Sequence, residues 1–289
     1  MFKLGIITDE VSQDFNTAAE FAVRHGLSAL EIRSVNGKGP FELTAEDITE
    51  IRAIADRHSL SIAAISAPLF KCSIHDTAAI NAHIAGFARL AGFCEILGCK
   101  LIRGFDFWEE GASLPDRVKA YQPILRICEQ YGITCVLEYD PSVHACTAAK
   151  TKMLIEAVNS PYLKALYDPG NGLWADPEDV PYPDDYELLK DHIAHIHIKD
   201  AVIRDSKTEA VCVGTGLVDY QRLFARLMQD GYSGCCMLET HYRKAVSLTE
   251  EQLKRPGGAA FSAGAYEASE ESVLSMLSII DKTKGEMKL

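Results

Sequence analysis

Glu138, Asp168, His197 and Glu239 stand at the ends of four apolar runs, TCVLEYD, KALYDPGN, AHIHIKD and CCMLETH. Three carboxylates and one imidazole make a donor set for a hard or borderline divalent cation. Mn²⁺ is the leading expectation, with Mg²⁺, Co²⁺ and Zn²⁺ as alternatives. One such residue alone ordinarily marks the start of a solvated loop. Four in succession, each behind a buried run, point to a single shared ion.

Other residues could serve the same site. His195, His197 and Lys199 alternate along one strand and so share a face. His195 lies one layer deeper than His197 and reads as a hydrogen-bonded histidine behind the ion. Lys199 falls at the mouth, where it could meet an anionic or hydroxyl-rich substrate or simply be exposed. Glu31 and Arg33 end a run on a common face, as a rim ion pair or as substrate contacts. Arg103 sits inside KLIRGFDF, where an unpaired charge is costly to bury, so it needs a role in or behind the site. Lys71 follows Pro68 in a loop able to overhang a pocket. Trp108 and Phe107 could wall a sugar face or pack internally. Gly214 and Gly216 read as a turn by default.

The elements that must position these residues alternate along the chain. Strand patterns occupy 4–8, 29–34, 61–68, 100–107, 134–140, 162–168, 192–200 and 233–240. Helical patterns run from about Asn16 to His25, from the Thr44 cap to His58, Thr77 to Leu97, and Pro115 to Tyr131. Further helices are expected from Thr147 to Val158, around 184–191, from Asp219 to Gln229, and over 267–283. A loop should follow the seventh strand, and 256–264 reads as a long loop. Eight strand–helix units with apolar strands describe a parallel sheet covered by helices. At this length they favour a closed (β/α)8 TIM barrel forming one domain over 1–289, with its active site at the strands' C-terminal ends. No Gly-x-Gly-x-x-Gly follows the first strand, which removes the main support for a dinucleotide fold.

Composition narrows the function classes. Hydrophobic residues make up 47% and charged residues 24%, as in a globular protein with an ample core. The 29 basic and 41 acidic residues give a net charge of −12 with no basic cluster, which counts against nucleic acid as a partner. No apolar run approaches the roughly 20 residues of a membrane span. The opening MFKLGIITDE enters a strand pattern directly, so the expected location is the cytoplasm. The nine cysteines include no C-x-x-C and read as small buried thiols.

The order of a strand-five glutamate, a D-x-G-N turn, H-I-K-D and a final L-E-T-H resembles the sugar phosphate isomerase/epimerase family of xylose isomerase-like barrels. That superfamily includes D-tagatose 3-epimerase, hydroxypyruvate isomerase, inosose dehydratase and endonuclease IV. The similarity extends over essentially the whole chain, including GIITDE and the G-x-G-x-x-D-Y segment at 214–220. It implies that the four ligand residues hold one divalent ion and that Glu138 and Glu239 act as acid and base. It also places Arg204 near a substrate-contacting arginine of the epimerases. Their usual histidine three residues after the aspartate is Asn171 here, and their further substrate-contacting glutamate falls at His144. Asparagine can donate and accept a hydrogen bond but does not titrate near neutrality. Barrels of this group often pair into homo-oligomers, and no stretch of this sequence marks an interface.

The reaction implied is proton removal from carbon next to a carbonyl, through a metal-stabilised enediolate of a sugar or keto-sugar, free or phosphorylated. The same site could instead eliminate water, as in an inosose-type dehydratase. A nuclease like endonuclease IV needs further histidines; this chain has Ser66 and Pro68 near one such position and Asn171 at another. A non-catalytic sugar-binding barrel is the remaining alternative.

Overall fold

Eight parallel strands close on themselves in the computed structural model, which describes residues 2–245 and 247–287. They are β1 (Lys3–Ile7), β2 (Ala29–Ile32), β3 (Ser61–Leu69), β4 (Leu101–Gly104), β5 (Thr134–Glu138), β6 (Leu163–Tyr167), β7 (Ile193–Ile198) and, after the hairpin strands β8 (Asp200–Arg204) and β9 (Lys207–Val211), β10 (Cys235–Leu238). Around the barrel the order is β1, β10, β7, β6, β5, β4, β3, β2. The expected closed barrel is therefore present. Residues 1, 246, 288 and 289 of the expected 1–289 domain lie outside the described residues.

The helices form where their caps predict. Asp14, Thr44, Asp76, Ser113, Thr147 and Asp219 each accept a backbone N–H from the first turn of the helix that follows. Gly98 and Gly132 close two helices in the left-handed region, with φ of 68° and 59°. The helices pack on strands whose residues are buried on both faces, which is why β5 and β6 read as near-continuous apolar runs. Seven of the cysteines are buried and all nine are free, in line with small core thiols.

Three connections differ from the sequence reading. The stretch after β7 is an antiparallel hairpin, with Asp205 and Ser206 both at positive φ (48° and 61°) in a two-residue turn. The turn after Asp168 is a helix, Pro169–Ala175. The expected loop at 256–264 contains the short helix Gly258–Ser262, preceded by Glu250–Lys254. Pro and Gly obscured both. The last helix, Ala265–Glu286, is longer than its apolar pattern suggested.

Candidate functional site

The four staves β5, β6, β7 and β10 are consecutive neighbours, so their C-terminal ends face one point. Ligand atoms of Glu138, Asp168, His197 and Glu239 lie within 4.8 Å of one another, and all four residues are buried. Each arrives by a distinct local device. Glu138 is the last residue of β5, level with Leu166 of β6. Asp168 caps the helix Pro169–Ala175: its Oδ1 accepts N–H groups of Gly170 (3.0 Å) and Asn171 (3.2 Å), which leaves Oδ2 for the centre. Gly170 is needed there, because a Cβ would lie 2.9 Å from the Lys199 carbonyl oxygen. Glu239 extends β10, its backbone N–H donating to Ile198 O at 3.0 Å.

His197 tests whether these residues fit a cation. Its Nε2 lies 3.1 Å from Glu31 Oε1, while Nδ1 has no hydrogen-bond partner. That Nδ1 faces Glu138 Oε1 at 3.4 Å, Glu239 Oε2 at 3.4 Å and Asp168 Oδ2 at 4.0 Å. Three oxygens around a buried ring nitrogen require positive charge, supplied either by a proton on Nδ1 or by a metal ion among them. Without an ion, burial opposes the charged ring, but Glu31 and Glu239 outweigh it and push the His197 pKa well up. Burial pushes the Asp168 carboxyl up to about 7, opposed by Lys199 and helped by Glu239 and Glu138. The donor set fits a divalent ion held through an Nε2-protonated imidazole, the usual arrangement behind a metal-ligating histidine.

Cations surround this centre. Arg103 Nη1 donates to Glu138 Oε2 at 2.9 Å; burial raises the Glu138 carboxyl, yet Arg103 and His197 together bring it down to about 2. Lys199 Nζ reaches Glu239 Oε2 (2.6 Å), Asp168 Oδ2 (2.7 Å) and Asn171 Oδ1 (3.0 Å). Those carboxylates overcome the cost of burial and raise its pKa, so it stays an ammonium. Asn171 Nδ2 in turn donates to Glu138 Oε1 at 3.1 Å and to Tyr139 O at 2.9 Å. Tyr220 of the 214–220 segment pins Lys199: the hydroxyl donates to Lys199 O at 2.6 Å and accepts its N–H at 2.9 Å.

Two further clusters of ligand types adjoin the first. Glu31, His195 and His197 form one, with His195 Nε2 2.7 Å from Glu31 Oε2. Its Nε2 atoms are already committed to the carboxylate, one from each histidine. Glu10, Glu239 and His241 form the other, where Arg33 and Arg243 already hold Glu10 at 2.7 and 3.2 Å. Neither places three carboxylates around one ring nitrogen that has no hydrogen-bond partner, as the four-residue centre does.

A cavity of about 270 Å³ opens above the centre. Arg103, Lys71, Asn171, Lys199, Glu138 and Glu239 line it, with Phe105 and Trp174 as apolar wall. Lys71 is bound to Asp140 Oδ2 at 2.6 Å and to Lys254 O at 2.9 Å, which ties the Glu250–Lys254 helix over the mouth.

Four expectations need correction. Arg204 lies on the outer hairpin, 65% exposed and 3.5 Å from Glu209, because the tight turn carries it away from the mouth. His144 is buried in the loop after β5, within 3.4 Å of Glu109 Oε2 and accepting the Glu110 N–H, and it does not line the cavity above the centre. Trp108 stacks beneath Lys254 (4.5 Å) rather than walling the pocket. Glu31 and Arg33 do not pair: Glu31 takes the two histidines, whereas Arg33 binds Asp9 (3.0 Å), Glu10 (2.7 Å) and Glu239. The G-x-G at 214–216 is a turn whose N–H groups donate to Asp200 Oδ2, at 2.8 and 2.9 Å.

Sequence reasoning missed Asp9, Glu10, His241 and Asp140. The rule that found the four ligands, a charged residue ending an apolar run, also picks out the Asp9–Glu10 end of β1. His241, two residues beyond Glu239, follows from strand alternation.

Comparison with known proteins agrees with the fold. A family profile described as xylose isomerase-like TIM barrel matches residues 19–263. A 142-residue stretch is 26% identical to inosose dehydratase of Geobacillus kaustophilus, covering 42% of this chain and 43% of that protein. The chain thus spans less than half the length of the curated relative it matches. Among solved structures, D-psicose 3-epimerase of Clostridium cellulolyticum, determined with D-tagatose, superposes with a TM-score of 0.72 at 15% identity, over 98% of this chain and 99% of that one. IOLI protein with a binding zinc atom superposes with a TM-score of 0.73 at 19% identity, over 98% and 99%. At these identities the structural likeness concerns the fold alone.

Proposed function

Since the chain belongs to the xylose isomerase-like TIM barrel family, we propose that it is a divalent-metal-dependent isomerase or epimerase of a sugar or keto-sugar. The observation that carries this reading is the convergence of four buried ligand groups within 4.8 Å, with the His197 Nδ1, which has no hydrogen-bond partner, turned toward three carboxylates. A divalent ion held by Glu138, Asp168, His197 and Glu239 would supply the positive charge that stabilises negative charge developing on substrate oxygens.

The chain's own groups do the rest. Glu138 and Glu239 approach from separated staves, so each can exchange a proton with a different face of a carbon between them. Arg103 keeps Glu138 ionised and aimed; against the cost of burial, Lys199 is the main group that keeps Glu239 ionised, while Arg33 pairs with its other oxygen. A carboxylate held below its usual range is a weak base, which suits removal of a proton from a carbon acidified by a neighbouring carbonyl. Lys199 and Asn171 line the cavity, and either can meet a substrate hydroxyl or carbonyl oxygen by exchanging a hydrogen bond it now makes within the site. Phe105 and Trp174 give an apolar surface for the sugar's C–H face and help exclude water.

A second reading, dehydration of an inosose or related keto-sugar, is favoured by the sequence likeness to inosose dehydratase. The same proton removal would then be followed by loss of a β-hydroxyl as water, which takes its proton from a donor lining the cavity, of which the Lys199 ammonium is one.

The deciding experiment strips metal with a chelator and restores Mn²⁺, Mg²⁺, Co²⁺ or Zn²⁺ singly. Keto-sugars and inososes in deuterium oxide are then followed by mass. Metal-dependent deuterium uptake without change of skeleton supports isomerisation or epimerisation; loss of one water supports the lyase. Metal-independent turnover would overturn both.

A further inference from the structure

Beside the first cavity lies a second of about 410 Å³, and the two share Lys71, Arg103, Lys254 and Pro256 as lining. The second is also lined by Arg33 and Arg255, against one carboxylate, Glu42. Three of these five cations already have carboxylate partners that belong to the metal centre or its rim: Arg33 with Glu239, Arg103 with Glu138 and Lys71 with Asp140. The other two do not. Among the described residues no carboxylate pairs with Lys254, whose ammonium sits 4.5 Å over the Trp108 ring. Arg255 lies 5.6 Å over the same ring, and its one carboxylate contact among the described residues is the exposed Glu251, at 3.8 Å, a contact of little strength in water.

Neutral donors point the same way. His83 Nδ1 accepts the Phe70 N–H at 2.8 Å, so in the neutral ring the proton is on Nε2, which is left to donate. Buried Arg103 Nε has no partner. The one carboxylate, Glu42, already accepts the Gly39 N–H at 2.8 Å. A cavity this rich in donors and poor in acceptors suits a ligand that brings its own oxygens and negative charge.

We propose that the substrate carries an oxyanion, phosphate or carboxylate, at the end away from its reacting carbon, and that this second cavity binds it. The inference rests on the proposed reaction only in assigning both cavities to one substrate. The charged end would lie under Lys254 and Arg255 while the carbonyl end lies over Glu138 and Glu239, across the wall the cavities share.

Inorganic phosphate is titrated calorimetrically into metal-loaded protein and into a Lys254→Met/Arg255→Met variant, which keeps stem length and the Lys254 carbonyl that Lys71 holds. Saturable binding is expected, weakened about tenfold or more in the variant at equal metal content. No saturable binding, or equal binding by both proteins, overturns the subsite. In a second arm, deuterium exchange is compared for a neutral ketohexose, its 6-phosphate and a keto-sugar with a terminal carboxylate. A kcat/KM about tenfold or more higher for one anionic probe supports the proposal and says which oxyanion is preferred. A neutral sugar that does as well overturns it and leaves the isomerase reading intact. Phosphate binding without exchange of any probe supports the subsite and counts against the proposed reaction.

Discussion

Glu31 Oε1 and His197 Nε2 are 3.1 Å apart at the centre of the barrel, and this contact decides which ring nitrogen faces the carboxylates. With Nε2–H donating to Glu31, it is Nδ1, without a hydrogen-bond partner, that faces Glu138, Asp168 and Glu239. Glu31 holds His195 from its other oxygen at 2.7 Å, so the carboxylate is clamped between two rings.

Replacing that clamp should loosen the metal without removing a ligand. Glu31→Gln is expected to weaken Mn²⁺ or Zn²⁺ affinity by about 10–100-fold, the usual cost of losing a partner behind a metal-bound histidine. Chelator competition measures it. An unchanged affinity would mean that His197 is not oriented through Glu31, or is not a ligand.

The two glutamates proposed as acid and base make a separate claim. Glu138→Gln and Glu239→Gln should each lower solvent deuterium incorporation by about 10²–10⁴-fold while metal is still bound. Gln keeps an oxygen for the ion but cannot carry the proton. Near-normal exchange in either variant removes that residue from the pair.

Lys199 competes with a cation for the same oxygens, lying 2.6 Å from Glu239 and 2.7 Å from Asp168. Lys199→Met should therefore tighten metal binding, by about tenfold if a single charge–charge contact of roughly 1.4 kcal/mol is relieved. Turnover should fall in the same variant because a substrate donor is lost. Weaker metal binding together with normal turnover would refute this account of Lys199.

Away from the mouth, Asp185 and Asp179 face each other beside Gly172. Burial raises both carboxyls, each further opposed by nearby acidic charge, and Asp185 reaches about 8. A raised folded-state pKa means the folded protein binds more protons than the unfolded chain, whose aspartates titrate near 3.9. The pair's contribution to stability is therefore full below about pH 4 and is lost as pH rises toward about 8. Asp185→Asn should flatten that decline, gaining roughly 1–3 kcal/mol on the wild type between about pH 5 and pH 8 in urea unfolding. Parallel pH profiles for the two proteins would show that the carboxyls do not share a proton.

The parts legible in the sequence were those written locally. Period-2 alternation, caps and buried runs depend on residues a few positions apart, and they identified eight strand–helix units and four ligand types at strand ends. The alternation of His195, His197 and Lys199 even ordered them by depth. Helices containing Pro and Gly, as at 169–175 and 258–262, were less visible because their composition is that of loops.

Partner choice was decided only when the barrel closed. Glu31 and Arg33 are two residues apart on one face, yet one turns to β7 and the other to β1 and Glu239, 206 residues away in sequence. Closure brings β2, β1 and β10 together, and each charge pairs with whatever opposite charge that geometry delivers. The same closure left Arg204 on an outward hairpin and brought Lys254, 183 residues beyond Lys71, over the mouth. A strand pattern can say that a side chain faces inward; which charge it meets there depends on the register and curvature of the whole ring.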